Sequence, residues 1–175
     1  KRLNRKLSEI KSRYGTFAIL GNHEYIGGVD EAREYLLSNG IKLLVDSTVE
    51  FPEGIIIAGR EDLMKNSYVG AKRKNISEII TGSQSDKFSI LVDHQPKNLD
   101  EAEKHVIDLQ LSGHTHHGQM FPFNYITSAI YEVSTGFMKR GKTSYYVSSG
   151  FGTWGPPVRL FRRPEIVLIR IIPQK

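Results

Sequence analysis

The chain has 175 residues, 39% hydrophobic and 25% charged, which suits one domain with a real core and excludes wholesale disorder. It contains no cysteine, so disulfides, thiolate metal sites and thiol nucleophiles are excluded together, and any metal must be held by nitrogen and oxygen. The net charge of +5 collects near the two ends (Lys1, Arg2, Arg5, Lys6, Lys11 and Arg13; Lys139, Arg140, Lys142, Arg159, Arg162 and Arg163) without an arginine-and-aromatic recognition motif, so solvated faces and no specific nucleic-acid partner are expected.

Leu3, Leu7, Ile10 and Tyr14 stand at helical spacing and predict an amphipathic helix over 2–13, ended by Gly15. Thr16–Leu20 reads as a short buried strand that delivers Gly21-Asn22-His23-Glu24 at its carboxyl end. A helix is predicted over Asp30–Asn39, with Asp30 as N-cap and Gly40 as stop. Strands are expected over Lys42–Phe51 and Gly54–Ala58, and a short helix over Asn75–Ile80 before the polar loop Thr81–Asp86.

The second half repeats the pattern. Phe88–Val92 is a buried strand delivering Asp93-His94-Gln95-Pro96, Leu99–Val106 a helix, and Ile107–Leu111 a strand delivering Gly113–His117. After a long irregular segment, Ser144–Ser148 and Ile166–Ile172 read as closing strands around the Gly- and Pro-rich Gly150–Pro157. No apolar run approaches the ~20 residues needed to span a bilayer, and no signal peptide opens the chain. The whole reads as one α/β domain, 1–175.

Three strand ends carry polar clusters: Asn22-His23-Glu24, His94, and His114-Thr115-His116-His117. Ligands of open α/β sheets gather beyond the carboxyl ends of strands, so these clusters can converge. Each has an ordinary alternative. His94 alone reads more readily as a hydrogen-bonded histidine, and Asn22-His23 as turn chemistry. His114 and His116 are the stronger signal: in an extended segment they point to the same side. His105 sits among charged helix residues and is assigned to solvent; His117 is left undecided.

Taken in order, GNHE (Gly21–Glu24), HQP (His94–Pro96) and SGHTHHGQ (Ser112–Gln119) resemble the calcineurin-like metallophosphoesterases over nearly the whole chain. The tail SSGFGTWGPPVRLFRRPEIVLIRI (Ser148–Ile171) resembles a bacterial branch often carrying an N-terminal membrane segment. His117 departs from the family's usual glycine. The resemblance implies a layered α/β/β/α sandwich and hydrolysis of phosphomonoesters or phosphodiesters by a water activated between two divalent ions (Mn, Fe or Zn). Asn22, His94 and His114 would hold one ion and His116 the other. His23 would protonate the leaving oxygen or stabilise charge, and Glu24 would hold its loop from behind.

Two family motifs are missing. None of the seven aspartates (Asp30, Asp46, Asp62, Asp86, Asp93, Asp100, Asp108) stands two residues before a histidine or follows a glycine, so Asp-x-His and Gly-Asp-x-x-Asp are absent. The expectation is an N-terminally truncated domain, with at most one well-held metal and little or no turnover alone. An exposed sheet edge then invites homodimerisation. The apolar run Met120–Met138, next to Lys139, Arg140 and Lys142, reads as a packed cap or as a wall for a lipid-linked substrate near a membrane surface. The bacterial parent is expected at the cell membrane, this chain itself soluble. The rival is a metal-binding or scaffolding module without turnover.

Overall fold

The structure is a computed structural model describing residues 7–81, 86–160 and 163–172. Strand β1 (Thr16–Ala18) runs through a short loop into helix α1 (Asn22–Gly27); α2 (Val29–Ser38) then leads to β2 (Ile41–Leu43), which pairs parallel with β1. The chain next builds a six-stranded sheet from β3 (Ser47–Phe51), β4 (Ile55–Gly59), β5 (Phe88–Val92), β6 (Leu109–Ser112), β7 (Gly136–Arg140) and β8 (Thr143–Val147). Its order is β3-β4-β5-β6-β8-β7. Helices α3 (Lys65–Val69), α4 (Ile76–Ile79), α5 (Leu99–Lys104) and α6 (Phe123–Ile130) complete the described elements, with a 3-10 turn at His116–Gly118. Two sheets with flanking helices make an α/β sandwich, the class read from the sequence.

Strands β4, β5, β6 and β8 are mutually parallel, and antiparallel β3 and β7 close the edges. Interior parallel strands are covered on both faces and so read as continuous apolar runs, as Ile55-Ile56-Ile57 and Ile90-Leu91-Val92 do. Under one face lies the core of Ala58, Leu91, Tyr145 and Val147, sealed by Ile76 and Ile79 of α4, Leu99 and Ala102 of α5, and Ile107. The Tyr145 hydroxyl donates to the Leu99 carbonyl at 2.7 Å, tying α5 to β8 in the interior. Parallel alignment places the carboxyl ends of β5, β6 and β8 on one rim, where His94, His114 and Ser149 leave the sheet.

Several local expectations are corrected. Residues 1–6 of the first predicted helix lie outside the described residues; of the remainder only Leu7 and Ser8 are helical before a turn, and residues 10–15 carry no helix. Asn22-His23-Glu24 opens α1, where a loop was expected. Helix α2 is capped by Gly28, with Asp30 inside its first turn. Lys42–Phe51 is two strands in different sheets, broken at Asp46, which is buried at φ +45° and accepts the backbone N–H of Glu61 and Lys74. The irregular stretch after the histidines holds α6 and β7. Ile166–Ile172 joins no strand ladder and leaves Ile166, Leu168 and Ile172 exposed. Of the polar loop Thr81–Asp86, positions 82–85 lie outside the described residues.

Candidate metal centre

Three side chains from three segments meet at the rim. The Asn22 Oδ1 atom lies 2.9 Å from His94 Nε2 and 3.1 Å from His114 Nδ1, and the two ring nitrogens are 3.3 Å apart. Donors bound at about 2.0–2.1 Å to a single cation stand about 2.9–3.4 Å from one another, from octahedral to tetrahedral geometry. The trio therefore has the dimensions of one face of a coordination shell. Hydrogen bonding satisfies it less well: if both imidazoles donate to Oδ1, their N–H groups oppose each other.

Local structure explains the convergence. Glu24 accepts the Gly21 backbone N–H at 2.7 Å, which fixes the first turn of α1 and with it Asn22. Gly21 leaves room for His94: a Cβ there would lie 2.8–2.9 Å from the imidazole ring. The Gly113 N–H donates to the His94 carbonyl at 3.0 Å, which sets the β5 and β6 exits side by side. His114 then turns at φ +67° and stacks edge-on against His94 and Tyr131.

All three imidazoles of the cluster are held below the ordinary histidine pKa. Burial lowers His94 against the pull of Asp62 and Glu24. Burial, then the neighbouring His94, pushes His114 down to about 4. Burial, then the Arg159 guanidinium, lowers His116. Neutral imidazole is the form that ligates, so near neutrality no proton has to be displaced.

His116 does not join the trio. The expected extended His-x-His geometry is overturned: His114, His116 and His117 all have positive φ, so the side chains diverge. The His116 Nδ1 atom lies 3.0 Å from Arg159 Nη2. His117 Nδ1 lies 3.0 Å from the Ser134 hydroxyl, which turns it away from the trio. His23 is exposed on α1, close enough for its charge to act on His94 and His116. Among the described residues no three His, Asp or Glu side chains stand at ligand spacing; the trio reaches three donors only through an amide oxygen.

Sequence reading missed the polar support behind the rim. Buried Asp62 accepts two hydrogen bonds from the Gln95 amide, at 2.9 and 3.1 Å, next to His94. Buried Asp93 meets Arg73 at 2.9 Å and Arg60 at 3.5 Å, and Arg60 reaches Glu101 at 2.6 Å. Burial outweighs both arginines and raises Asp93 to about 6. Buried Glu61 accepts from Tyr25 and Lys65, at 2.6 and 3.0 Å. The available signal was Arg60-Glu61-Asp62, three charges directly after the apolar strand Ile55–Gly59.

Fold and site together define a layered α/β protein with a trio of nitrogen and oxygen atoms gathered at its strand ends. The chain is 40% identical to an uncharacterized metallophosphoesterase of Campylobacter jejuni, over 95% of this chain and 44% of that protein. It is 36% identical to an uncharacterized metallophosphoesterase of Aquifex aeolicus, over 97% of this chain and 65% of that protein. A bovine transmembrane protein with metallophosphoesterase domain is 33% identical, over 91% of this chain and 39% of its own length. The chain belongs to the calcineurin-like metallophosphoesterase family, and spans less than two thirds of the length of these relatives. No family model matches it, and no solved structure matches it significantly.

Proposed function

We propose that this chain supplies the histidine and asparagine side of a metal-dependent phosphoester hydrolase. The observation that carries the reading is the convergence of Asn22, His94 and His114 at coordination-shell spacing. The chemistry that a pair of divalent ions (Mn, Fe or Zn) supplies when bound is polarisation of the phosphoryl oxygens and a water of lowered pKa. Asn22, His94 and His114 would hold one ion, and His116 contributes to the other. His23, on the exposed face of α1, donates a proton to the leaving oxygen or stabilises its charge. Glu24 keeps Asn22 and His23 in place by accepting the Gly21 N–H.

The chain carries no Asp-x-His and no Gly-Asp-x-x-Asp. Two divalent ions at short range repel strongly without a carboxylate between them. Alone, the chain holds at most one metal well and turns over little or no substrate; upstream sequence is the proposed source of the missing carboxylates. The substrate is an apolar or lipid-linked phosphoester, handled at or near a bacterial membrane. Support comes from Phe121, Phe123, Tyr125, Ile126 and Ile130, exposed on and beside α6, which packs against the histidine turn. Exposed Lys139 and Lys142 on and beside β7 would meet an anionic surface. No described helix is long and apolar enough to cross a membrane. The edge of the β1–β2 sheet that is unpaired among the described residues is the proposed seat of any homodimer.

The test compares this chain with a form extended upstream, by metal analysis and bis-aryl phosphodiester hydrolysis with Mn²⁺. About two metals and turnover in the extended form alone support the proposal. Equal inactivity of both would favour a metal-binding or scaffolding module, a reading that the missing bridging carboxylate keeps open.

A further inference from the structure

We propose that Arg159 is a phosphate-binding residue of this site, its guanidinium taking the non-bridging oxygens of the phosphoester. The inference rests on the phosphoester reading above and adds a residue that the metal motifs do not contain.

Arg159 is held in an unusual way for an inward-facing arginine. Its Nη2 atom donates to the Ser149 carbonyl at 2.6 Å and the Gly152 carbonyl at 2.5 Å, and lies 3.0 Å from His116 Nδ1. Its Nε donates to the Gly152 carbonyl at 3.0 Å. Every one of these partners is neutral. The other guanidiniums of the interior face carboxylates: Arg60 has Asp93 and Glu101, Arg73 has Asp93, and Arg140 has Glu103 and Glu132. Among the described residues Arg159 has no ion pair, and its Nη1 is closed off from solvent with no hydrogen-bond partner. A permanent cation beside the His116 imidazole, with no ion pair among the described residues, is a receptor for an anion. A guanidinium fork matches the spacing of two phosphate oxygens.

The chain also holds this arginine in place. Gln119, three residues past His116, donates its amide to the Trp154 and Pro156 carbonyls at 2.7 and 3.1 Å and accepts the Trp154 N–H at 2.6 Å. The Leu160 N–H donates to the Gln119 carbonyl at 3.0 Å. The loop bearing Arg159 is thus fastened to the histidine turn on both sides of the arginine. Gly150 flanks the contact at φ +80°; a Cβ there would lie 3.6 Å from the His116 ring and 3.8 Å from Arg159 Nη2. An entering phosphate takes one oxygen on the unpartnered Nη1 and a second on Nη2 in place of His116 and one carbonyl, while Nε keeps its bond to the Gly152 carbonyl.

Trp154 is the single tryptophan of the chain and lies on the same loop, so its fluorescence reports the event. Inorganic phosphate is titrated into the full chain in chelator, at constant ionic strength. The expected result is a saturable change in the wild type, weakened roughly tenfold or more in Arg159→Ala and partly in Arg159→Lys, which keeps the charge without the fork. Lys11→Ala, an exposed basic site before β1, titrates like the wild type. Circular dichroism checks that each variant is folded; if Arg159→Ala is not, Arg159→Lys decides. Equal titration by the arginine variants, or no saturable response in the wild type, overturns the assignment. Because chelator is present, this outcome is independent of metal binding by Asn22, His94 and His114. Failure of the phosphoester reading would show instead as absence of that metal binding.

Discussion

Substituting alanine at Gly21 tests whether the donor trio depends on its spacing. Gly21 has φ −110°, which alanine adopts freely, so Gly21→Ala adds a methyl group without backbone strain. That methyl would stand 2.8–2.9 Å from three atoms of the His94 ring, one of them Nε2. Ordinary carbon contacts begin near 3.5 Å, so the ring must retreat by about 0.7 Å. Metal–ligand distances tolerate about 0.2 Å, so His94 leaves the shell and the ion loses one of three protein donors. A loss of about 10–100-fold in Mn²⁺ affinity is expected, roughly 1.4–2.8 kcal/mol, together with about 1–3 kcal/mol of folding stability from overpacking. Gly27→Ala is the control, since nothing lies within 4 Å of its added methyl and it ends α1. It should bind metal normally and gain about 0.5–1 kcal/mol of stability. Isothermal titration measures the affinities and urea unfolding the stabilities. Wild-type affinity in Gly21→Ala, with His94 unchanged, would refute the claim that these three atoms act on one ion.

Two further outcomes are expected. The folded state resists protonating His114 down to about pH 4, while the unfolded chain takes up that proton near pH 6.5. Stability therefore falls as the pH drops from 6.5 towards 4, by roughly 1–2 kcal/mol once solvent screening of this half-buried ring is allowed for. Asp93, raised to about 6, works with the opposite sign: folded protein holds its proton more readily, so acid favours the fold. Urea unfolding of wild type against His114→Gln at several pH values isolates the imidazole; parallel profiles would contradict the assignment. Tyr145→Phe leaves the Leu99 carbonyl without its buried donor and should cost about 1–3 kcal/mol. Unchanged thermal stability would show that this bond does not tie α5 to the sheet.

Legibility in the sequence followed physical range. The interior strands at Ile55–Gly59 and Phe88–Val92 were visible because burial on both faces leaves an unbroken apolar run. The segments carrying His94 and His114 were placed correctly, because the parallel strands β5 and β6 bring their carboxyl ends to one rim, while Asn22 reaches it from the separate β1–β2 sheet and in a helical turn. The divergence of His114 from His116 was not legible, since it depends on positive φ at residues whose sequence does not demand it. Helix α6 was hidden because Phe121–Ile130 has too few polar positions to mark a face. Ile166–Ile172 reads as a strand by composition but has no neighbour among the described residues to pair with. Arg159 was read as surface charge because its partners, two carbonyls and an imidazole, come from segments joined only by tertiary structure.

The most direct measurement of the central claim is Mn²⁺ stoichiometry by equilibrium dialysis on the full chain, wild type against His114→Ala and Asn22→Ala. The account predicts about one bound ion per wild-type chain and a large loss of affinity in each variant, with both variants still folded. No bound ion in the wild type, or binding that both substitutions leave unchanged, would contradict it.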